Sequence, residues 1–397
     1  MIPRDELRRD ARRVCILSGG GDAPGVNAIL RGFVHAARRL DVGVVGSRYG
    51  FEGLLAPDGL VPLGIENVRG ILPVGGCVLG CSTRINPFFV PSKDGGPPKD
   101  MAPAIVERLR RNGIEALVLI GGDGTTLAAE RFSKLGLGVI AIPKTIDDDL
   151  AGTDVSCGFE TAVESATRAI DALHSTAEAH ARVMLVEVMG RNAGWIALHA
   201  GLAGGADVIL IPELPYRLER VVAKVREREA LGLRFSIVVV AEGAFPVGGN
   251  VEEIEHGHPG HLPRLGGAGA HLMRALESTD LDHEVRLTVL GHLLRGGAPS
   301  AFDRNLGTHL GTMAAELCNA GEYSRRLIVR EGRVSALPLD ARDLRRRVNA
   351  SREPLVRTAR LLGVELGEEV YAHGTGPAGP TRCNTTSRRP RVQGLVE

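Results

Sequence analysis

Short apolar runs rich in β-branched residues alternate along the chain with longer amphipathic stretches. The runs predict strands at Val14–Leu17, Val42–Val45, Ala116–Ile120, Gly138–Ile142, Val183–Val188, Val208–Ile211, Ser236–Val240 and Leu287–Leu290. The stretches predict helices at Pro24–Leu40, Pro103–Arg111, Thr125–Leu135, Thr161–His180, Gly194–Ala203, Leu218–Leu231 and Asp303–Ala320. Strands that are apolar at nearly every position lie buried on both faces, and the helices between them supply the cover. The fold class is therefore α/β, doubly wound, with mainly parallel sheets. In such sheets ligands bind at the carboxyl ends of strands, so the residues directly after each strand carry most of the functional information.

Length and composition narrow the picture without naming a function. At 397 residues the chain is expected to fold as two lobes. Aromatics are only 4% of it, so the core is built from Val, Leu, Ile and Ala, and 52 glycines suit many tight strand–helix turns. Lys and Arg total 48 against 47 acidic residues, a balance that argues against nucleic acid or an anionic membrane as a general partner. No run approaches a membrane span, and the charged N-terminus has no apolar signal core, so a cytoplasmic location is expected. The six cysteines lack disulfide or zinc spacing; Cys77 and Cys81 are the nearest pair and read as structural thiols. Val90–Pro98 and Gly248–Gly267 read as loops, and the chain from about Gly374 reads as a flexible tail.

Three turns hold the candidate chemistry. The first strand runs into Ser18-Gly19-Gly20-Gly21-Asp22-Ala23-Pro24-Gly25-Val26-Asn27 and then a helix, a junction where backbone N–H groups and the helix start favour an anion. Any strand–helix turn can be glycine-rich, so this turn alone leaves phosphate binding open. A second turn, Gly121-Gly122-Asp123-Gly124-Thr125, sets a carboxylate among glycines, suited to a Mg²⁺–phosphate contact or simply to the start of the next helix. The third is Pro143-Lys144-Thr145-Ile146-Asp147-Asp148-Asp149. In an extended segment Asp147 and Asp149 share one side, which supplies a candidate general base and a candidate metal partner.

With the strings Gly158-Phe159-Glu160-Thr161-Ala162, Val186-Glu187-Val188-Met189-Gly190-Arg191, Ala241-Glu242-Gly243 and Leu290-Gly291-His292-Leu293-Leu294-Arg295-Gly296-Gly297, these turns resemble the ATP/PPi-dependent 6-phosphofructokinase family from about Val14 to about Leu317. NAD and lipid kinases share the Gly-Gly-Asp-Gly turn but lack the last four strings. The resemblance implies two lobes with the active site in the cleft between them. It places residues 1–158 plus about 293–345 in a donor lobe and 159–292 plus about 346–373 in a sugar-phosphate lobe. It implies phosphorylation of fructose 6-phosphate at C1 with Mg²⁺. Asp147 would be the base, Thr145 would contact the transferring phosphoryl group, and Lys144 and Arg191 would offset its charge. Asp123 would hold Mg²⁺ with help from Asp149, and Gly21, Arg84, Gly122, Asp123, Gly124 and Thr125 would line the donor site. Thr145, Asp147, Met189, Gly190, Arg191, Glu242, His292 and Arg295 would meet the sugar phosphate. Arg182 and Arg286 would reach its 6-phosphate from a neighbouring subunit, which implies a homodimer or homotetramer. Taken singly, Met189 reads equally as core, His292 as a strand-end histidine, and Arg84, Arg182 and Arg286 as surface charges.

Four features depart from the family pattern or bear on the donor. Asp148 stands where most members have Asn, and two placements are open. It is either buried in the cleft, where a third carboxylate raises repulsion and lifts a neighbour's pKa, or facing solvent or the Lys144 ammonium. Asp148→Asn is expected to preserve or improve turnover. The segment Leu79–Pro87 around Arg84 is one residue longer than usual. Gly124 leaves room for a nucleoside where the pyrophosphate-using members carry Asp, and Gly124 with Lys144 matches a set of ATP users, so ATP is expected before pyrophosphate. Arg31 matches a basic residue of the bacterial effector site, but His35, His174, Leu231 and Leu233 stand where cations are expected, so regulation by ADP or phosphoenolpyruvate is expected to be weak or absent. A pyrophosphate-dependent enzyme and a catalytically silent sugar-phosphate-binding regulator are the alternatives.

Overall fold

A computed structural model describes residues 12–92, 96–255, 264–339 and 346–368. The first half of the chain lays down β1 (Arg13–Ser18), α1 (Val26–Arg39), β2 (Gly43–Ser47), α2 (Glu52–Leu55), β3 (Leu60–Pro62), α3 (Ala102–Arg111), β4 (Ala116–Gly121), α4 (Asp123–Lys134), β5 (Gly138–Pro143) and α5 (Phe159–His180). The second half adds β6 (Val183–Val188), α6 (Trp195–Ala203), β7 (Val208–Leu210), α7 (Leu218–Ala230), β8 (Ser236–Ala241), β9 (Glu253–Glu255), β10 (Arg264–Leu265), α8 (Ala268–Glu277), β11 (Val285–Val289), α9 (Ala301–Ala320), β12 (Arg325–Arg330), β13 (Arg333–Pro338) and α10 (Pro354–Leu361).

The strands form two principal sheets. One has seven strands in the order β13-β12-β5-β4-β1-β2-β3; the other has four, β11-β6-β8-β7. Their inner pairs are parallel, while β2–β3 and β12–β13 are antiparallel edges. Alternation explains the layering. Val14 and Ile16 of β1 face one apolar cluster, whereas Cys15 and Leu17 face another with Ile105 and Leu109 of α3 and Phe132 of α4. The first cluster continues through α1, α5, α6 and α9 to the inner face of the four-stranded sheet. A third cluster covers that sheet's far side with α7 and α8. Helices thus lie on both faces of each sheet, as the α/β reading expects.

The strand order matters for function. β1 leads to β2 on one side and β4 leads to β5 on the other, so the turns after β1 and β4 flank the point where the winding reverses. In the smaller sheet the turns after β6, β8 and β11 stand side by side in the same way. Long-range packing holds the first of these in place. Helix α1 lies along α9, and a side chain at Gly311 would sit 2.2 Å from the Ile29 carbonyl, so only glycine permits that approach. Ile29, Leu30 and Phe33 of α1 are fully buried and contribute about 1.5–3 kcal/mol each.

Several elements were not expected: α2, β3, α8, β12, β13 and α10, with β9 and β10 pairing inside the region read as a loop. The last expected strand is shifted to Val285–Val289 because residues 291–295 wind into a 3₁₀ turn. The expected tail from Gly374 lies outside the described residues. Among the described residues no helix is long and apolar enough to cross a membrane.

Candidate active site

The turn after β1 is held by three unrelated parts of the chain. Gly25 caps α1 at φ 96°, a left-handed conformation that glycine takes freely. A Cβ there would also fall 2.6 Å from the Cys157 sulfur. Asn27 is fully buried, donates to the Val74 and Gly75 carbonyls at 2.9 and 3.2 Å, and accepts from the Val78 amide at 2.9 Å. Lys144, only 4% exposed, donates its ammonium to the carbonyls of Gly19 (3.0 Å) and Gly21, and burial lowers its pKa. That side chain therefore lies beneath the first glycine turn and puts a positive charge behind it.

The turn after β4 opens directly into α4, which begins at Asp123, two residues earlier than expected. Asp123 accepts from the Gly124 amide at 2.7 Å and stands in the helix's first turn, where its charge meets the positive end of the dipole. Gly124 is exposed, and an added Cβ would meet no atom within 4 Å. Space in front of this turn is thus open. Arg84 is exposed too, and its amide donates to the Ser82 hydroxyl.

The turn after β5 carries the three aspartates. The Asp147 amide donates to the Thr145 hydroxyl at 3.1 Å, while its own Oδ1 is buried without a partner. Burial raises the Asp147 pKa, Arg295 and Arg191 partly offset that, and the charge of Asp123 raises it further. Asp148 faces neither solvent nor Lys144. It is 2% exposed, takes φ 50°, accepts from the Ser156 amide at 2.7 Å and pairs with Arg346 at 2.7 Å. Burial pushes its pKa up to about 6 against the pull of Arg346 and Ser156.

From the smaller sheet, Gly190 and Arg191 follow β6, Glu242 follows β8, and Arg295 ends the turn after β11. Arg295 donates to the Asp22 carbonyl at 3.0 Å and stands 3.1 Å from where a Cβ on Gly21 would be. It therefore bridges the two sheets' turns. Nη2 of Arg191 is buried and without a partner. Glu242 is pushed up to about 7, by burial first and by the charge of Asp147 second. Met189 packs partly against the core, and His292 is exposed.

Arg182 and Arg286 are not brought to this group. Both pair with Glu284 at the amino ends of β6 and β11, a strand length of roughly 20 Å from the turns that hold Arg191 and Arg295. Of the effector-site positions, His174 is tied to the Gly204 carbonyl at 2.7 Å, and Leu231 and Leu233 are exposed.

Sequence reasoning missed Asp303, Arg346 and the setting of the thiols. Asp303 is fully buried on α9 and accepts from the Gly158 and Thr161 amides at 2.7 and 2.8 Å, capping α5 from across the chain. The one signal was that α5 starts at Gly158-Phe159 with no capping residue of its own. Cys77 and Cys81 touch each other near Lys144, and Cys81 donates to the Ser18 hydroxyl at 3.4 Å. Among the described residues no group of three or more His, Cys, Asp or Glu side chains forms a metal cage.

A family profile described as Phosphofructokinase matches residues 13–318. The chain is 44% identical over 369 residues to the ATP-dependent 6-phosphofructokinase 2 of Clostridium perfringens, covering 91% of this chain and all of that one. It is 46% identical over 360 residues to the ATP-dependent 6-phosphofructokinase of Chloroflexus aggregans, covering 90% of this chain and 99% of that one. Among solved structures, the phosphofructokinase of Saccharomyces cerevisiae matches with a TM-score of 0.69 and 30% identity, over 83% of this chain and 45% of that one. A pyrophosphate-dependent phosphofructokinase from Marinobacter aquaeolei matches over 97% of this chain and all of that one with a TM-score of 0.73; at 20% identity it speaks for the fold alone.

Proposed function

The chain belongs to the phosphofructokinase family, and from that premise we propose that it transfers the terminal phosphoryl group of ATP to the C1 hydroxyl of fructose 6-phosphate, a step of glycolysis. The observation that carries the reading is a pair of buried, unpartnered atoms: the Asp147 carboxylate oxygen and the Arg191 guanidinium nitrogen. Leaving either group unsatisfied is costly, and a hydroxyl and a phosphate would satisfy both.

Asp147 orients the C1 hydroxyl and takes its proton as the oxygen attacks the phosphorus in line. Burial raises its pKa towards the working pH, which favours a general base, while Arg191 and Arg295 keep it from rising further. Thr145 meets the transferring group, and the charge of Lys144 lies behind the turn that cradles the phosphates. The open space before Gly124 admits a nucleoside.

The residues present fit Mg²⁺. That ion is held by one or two carboxylates together with substrate phosphates rather than by a protein cage, and the repulsion between Asp123 and Asp147 is what a cation relieves. Asp123 and Asp149 would hold it, and when bound it neutralises charge on the phosphates.

Glu242, Gly190, Arg191, His292 and Arg295 line the sugar side. Arg182 and Arg286, at the far strand ends, serve the 6-phosphate of a neighbouring copy in a homodimer or homotetramer. The donor lobe comprises 1–158 plus about 293–345 and the sugar lobe 159–292 plus about 346–373. In support, β12 and β13 close the larger sheet, while Glu365 pairs with Val208 at the smaller one. Exposed Leu231 and Leu233 offer no cation to an anionic effector, which supports weak control by ADP or phosphoenolpyruvate. The enzyme works in the cytoplasm. A coupled assay with fructose 6-phosphate and Mg²⁺, run with ATP and with pyrophosphate, tests the reading. Turnover with ATP is expected; turnover with pyrophosphate alone would overturn the donor assignment, and silence with both the activity.

A further inference from the structure

Arg346 follows β13 and belongs to none of the strings that mark the family. It nevertheless meets the aspartate loop at three points, two through its guanidinium and one through its backbone amide. Nη1 donates to Oδ2 of Asp148 at 2.7 Å and to the Asp154 carbonyl at 2.6 Å, and the Arg346 amide donates to the Asp149 carbonyl at 2.5 Å. The loop is stiffened from inside by Ser156, whose hydroxyl donates to the Thr145 carbonyl at 2.7 Å and whose amide donates to Asp148. Asp148 is thus the buried anchor of the loop that presents Asp147.

The same short segment also grips the other side of the site. The Arg346 guanidinium lies 4.2 Å from the centre of the Trp195 ring, at the start of α6 and four residues after Arg191. Two residues on, the Val348 amide donates to Glu213 at 2.8 Å, and that carboxylate also accepts from the Gly194 amide at 3.1 Å. The loops so joined come from different sheets, one after β5 and one after β6. Each carries one of the two buried, unpartnered atoms of the site.

We propose that Arg346 is a positioning residue: paired with Asp148 and stacked on Trp195, it sets the base loop at a fixed distance from the loop that carries Arg191. Asp148, where the family pattern has Asn, and Arg346 then form a matched pair, so Asp148→Asn lowers turnover rather than preserving or improving it. The neutral amide keeps the Ser156 contacts but loses the charge that holds Arg346. The proposal rests on the phosphofructokinase reading for its kinetic consequences and on the geometry alone for its structural ones.

The test uses the full chain as wild type, Arg346→Met, Asp148→Asn and the double variant. A lone Arg346→Met leaves a buried carboxylate unpaired and can fail to fold; the double variant removes that charge and keeps the question open. Expected for the double variant is a melting temperature close to wild type, kcat lowered about tenfold, KM for fructose 6-phosphate raised several-fold and KM for ATP unchanged, following the tenfold-per-step scale of lost contacts. A loss of folded protein alone would lower kcat without moving either KM. Amide hydrogen exchange should quicken in residues 145–156 and 190–196 but not in the turns after β1 and β4. A double variant with both kinetic constants within about twofold of wild type and unchanged exchange would overturn the proposal. If the wild type turns nothing over, the functional reading fails, and the exchange comparison, which needs no turnover, still decides the role of Arg346.

Discussion

The side of the site proposed for the donor and the side proposed for the acceptor differ in how far one chain satisfies itself. On the donor side, Lys144 spends two of its donors on the Gly19 and Gly21 carbonyls, Asn27 pins residues 74–78, and α1 is locked against α9 through glycine. On the acceptor side, an Arg191 nitrogen and an Asp147 oxygen are buried without partners, His292 is exposed, and Arg182 and Arg286 lie at the wrong end of their strands. A cradle built mainly from backbone can be completed by local turns. A pocket for a charged sugar needs side chains whose partners arrive only with the substrate or with another subunit.

The comparison can be broken most sharply at the acceptor side. Asp147→Asn keeps the shape and removes the proposed base, so kcat should fall about 10²–10⁴-fold with KM for ATP little changed, as read in a coupled assay. A comparable fall in ATP affinity would mean that the two sides are not separable. Gly124→Asp probes the donor side. The chain has room for the side chain, so the melting temperature should hold, but an acidic group facing the donor's phosphates should lower kcat/KM for ATP on the order of 100-fold. If ATP use survives, open space at Gly124 does not govern the donor.

Arg286→Ala should raise KM for fructose 6-phosphate about tenfold, the loss of one charge-assisted contact. Co-refolding it with Asp147→Asn should return part of the activity to the wild-type KM for fructose 6-phosphate, because some sites of a mixed assembly would then combine an intact Asp147 with an intact Arg286 from the other chain. No restoration would place the whole acceptor side within one chain.

The smallest effect concerns Glu242, whose pKa rises from 4.5 to about 7 because its ionised form is disfavoured by burial and by Asp147. Folded protein therefore loses stability from this group as pH rises from 4.5 through 7, and Glu242→Gln should flatten that decline in thermal melts. A decline that persists unchanged in the variant would mean that other groups cause it.

Much of the fold was legible because its central strands are apolar at nearly every position. β4 and β6 are buried throughout and were bounded to within a residue. The edge strands were not: Arg325–Arg330 and Arg333–Pro338 carry arginines on a half-exposed ribbon, though Glu331-Gly332 between them, both at positive φ, was a readable hairpin turn. α8 and α10 carry ordinary helical periodicity and were overlooked. In the site, the glycine turns and the aspartate string stood out because each follows a buried strand directly.

The sequence by itself determined the class of fold, the family and the local turns that would hold phosphates, since each depends on residues that are neighbours along the chain. Only the tertiary structure decided that Lys144 lies under the first turn, that Asp303 caps α5, and that Asp148 pairs with Arg346, 198 residues away. Those contacts join segments brought together by packing, and nothing in the local pattern of either partner specifies the other.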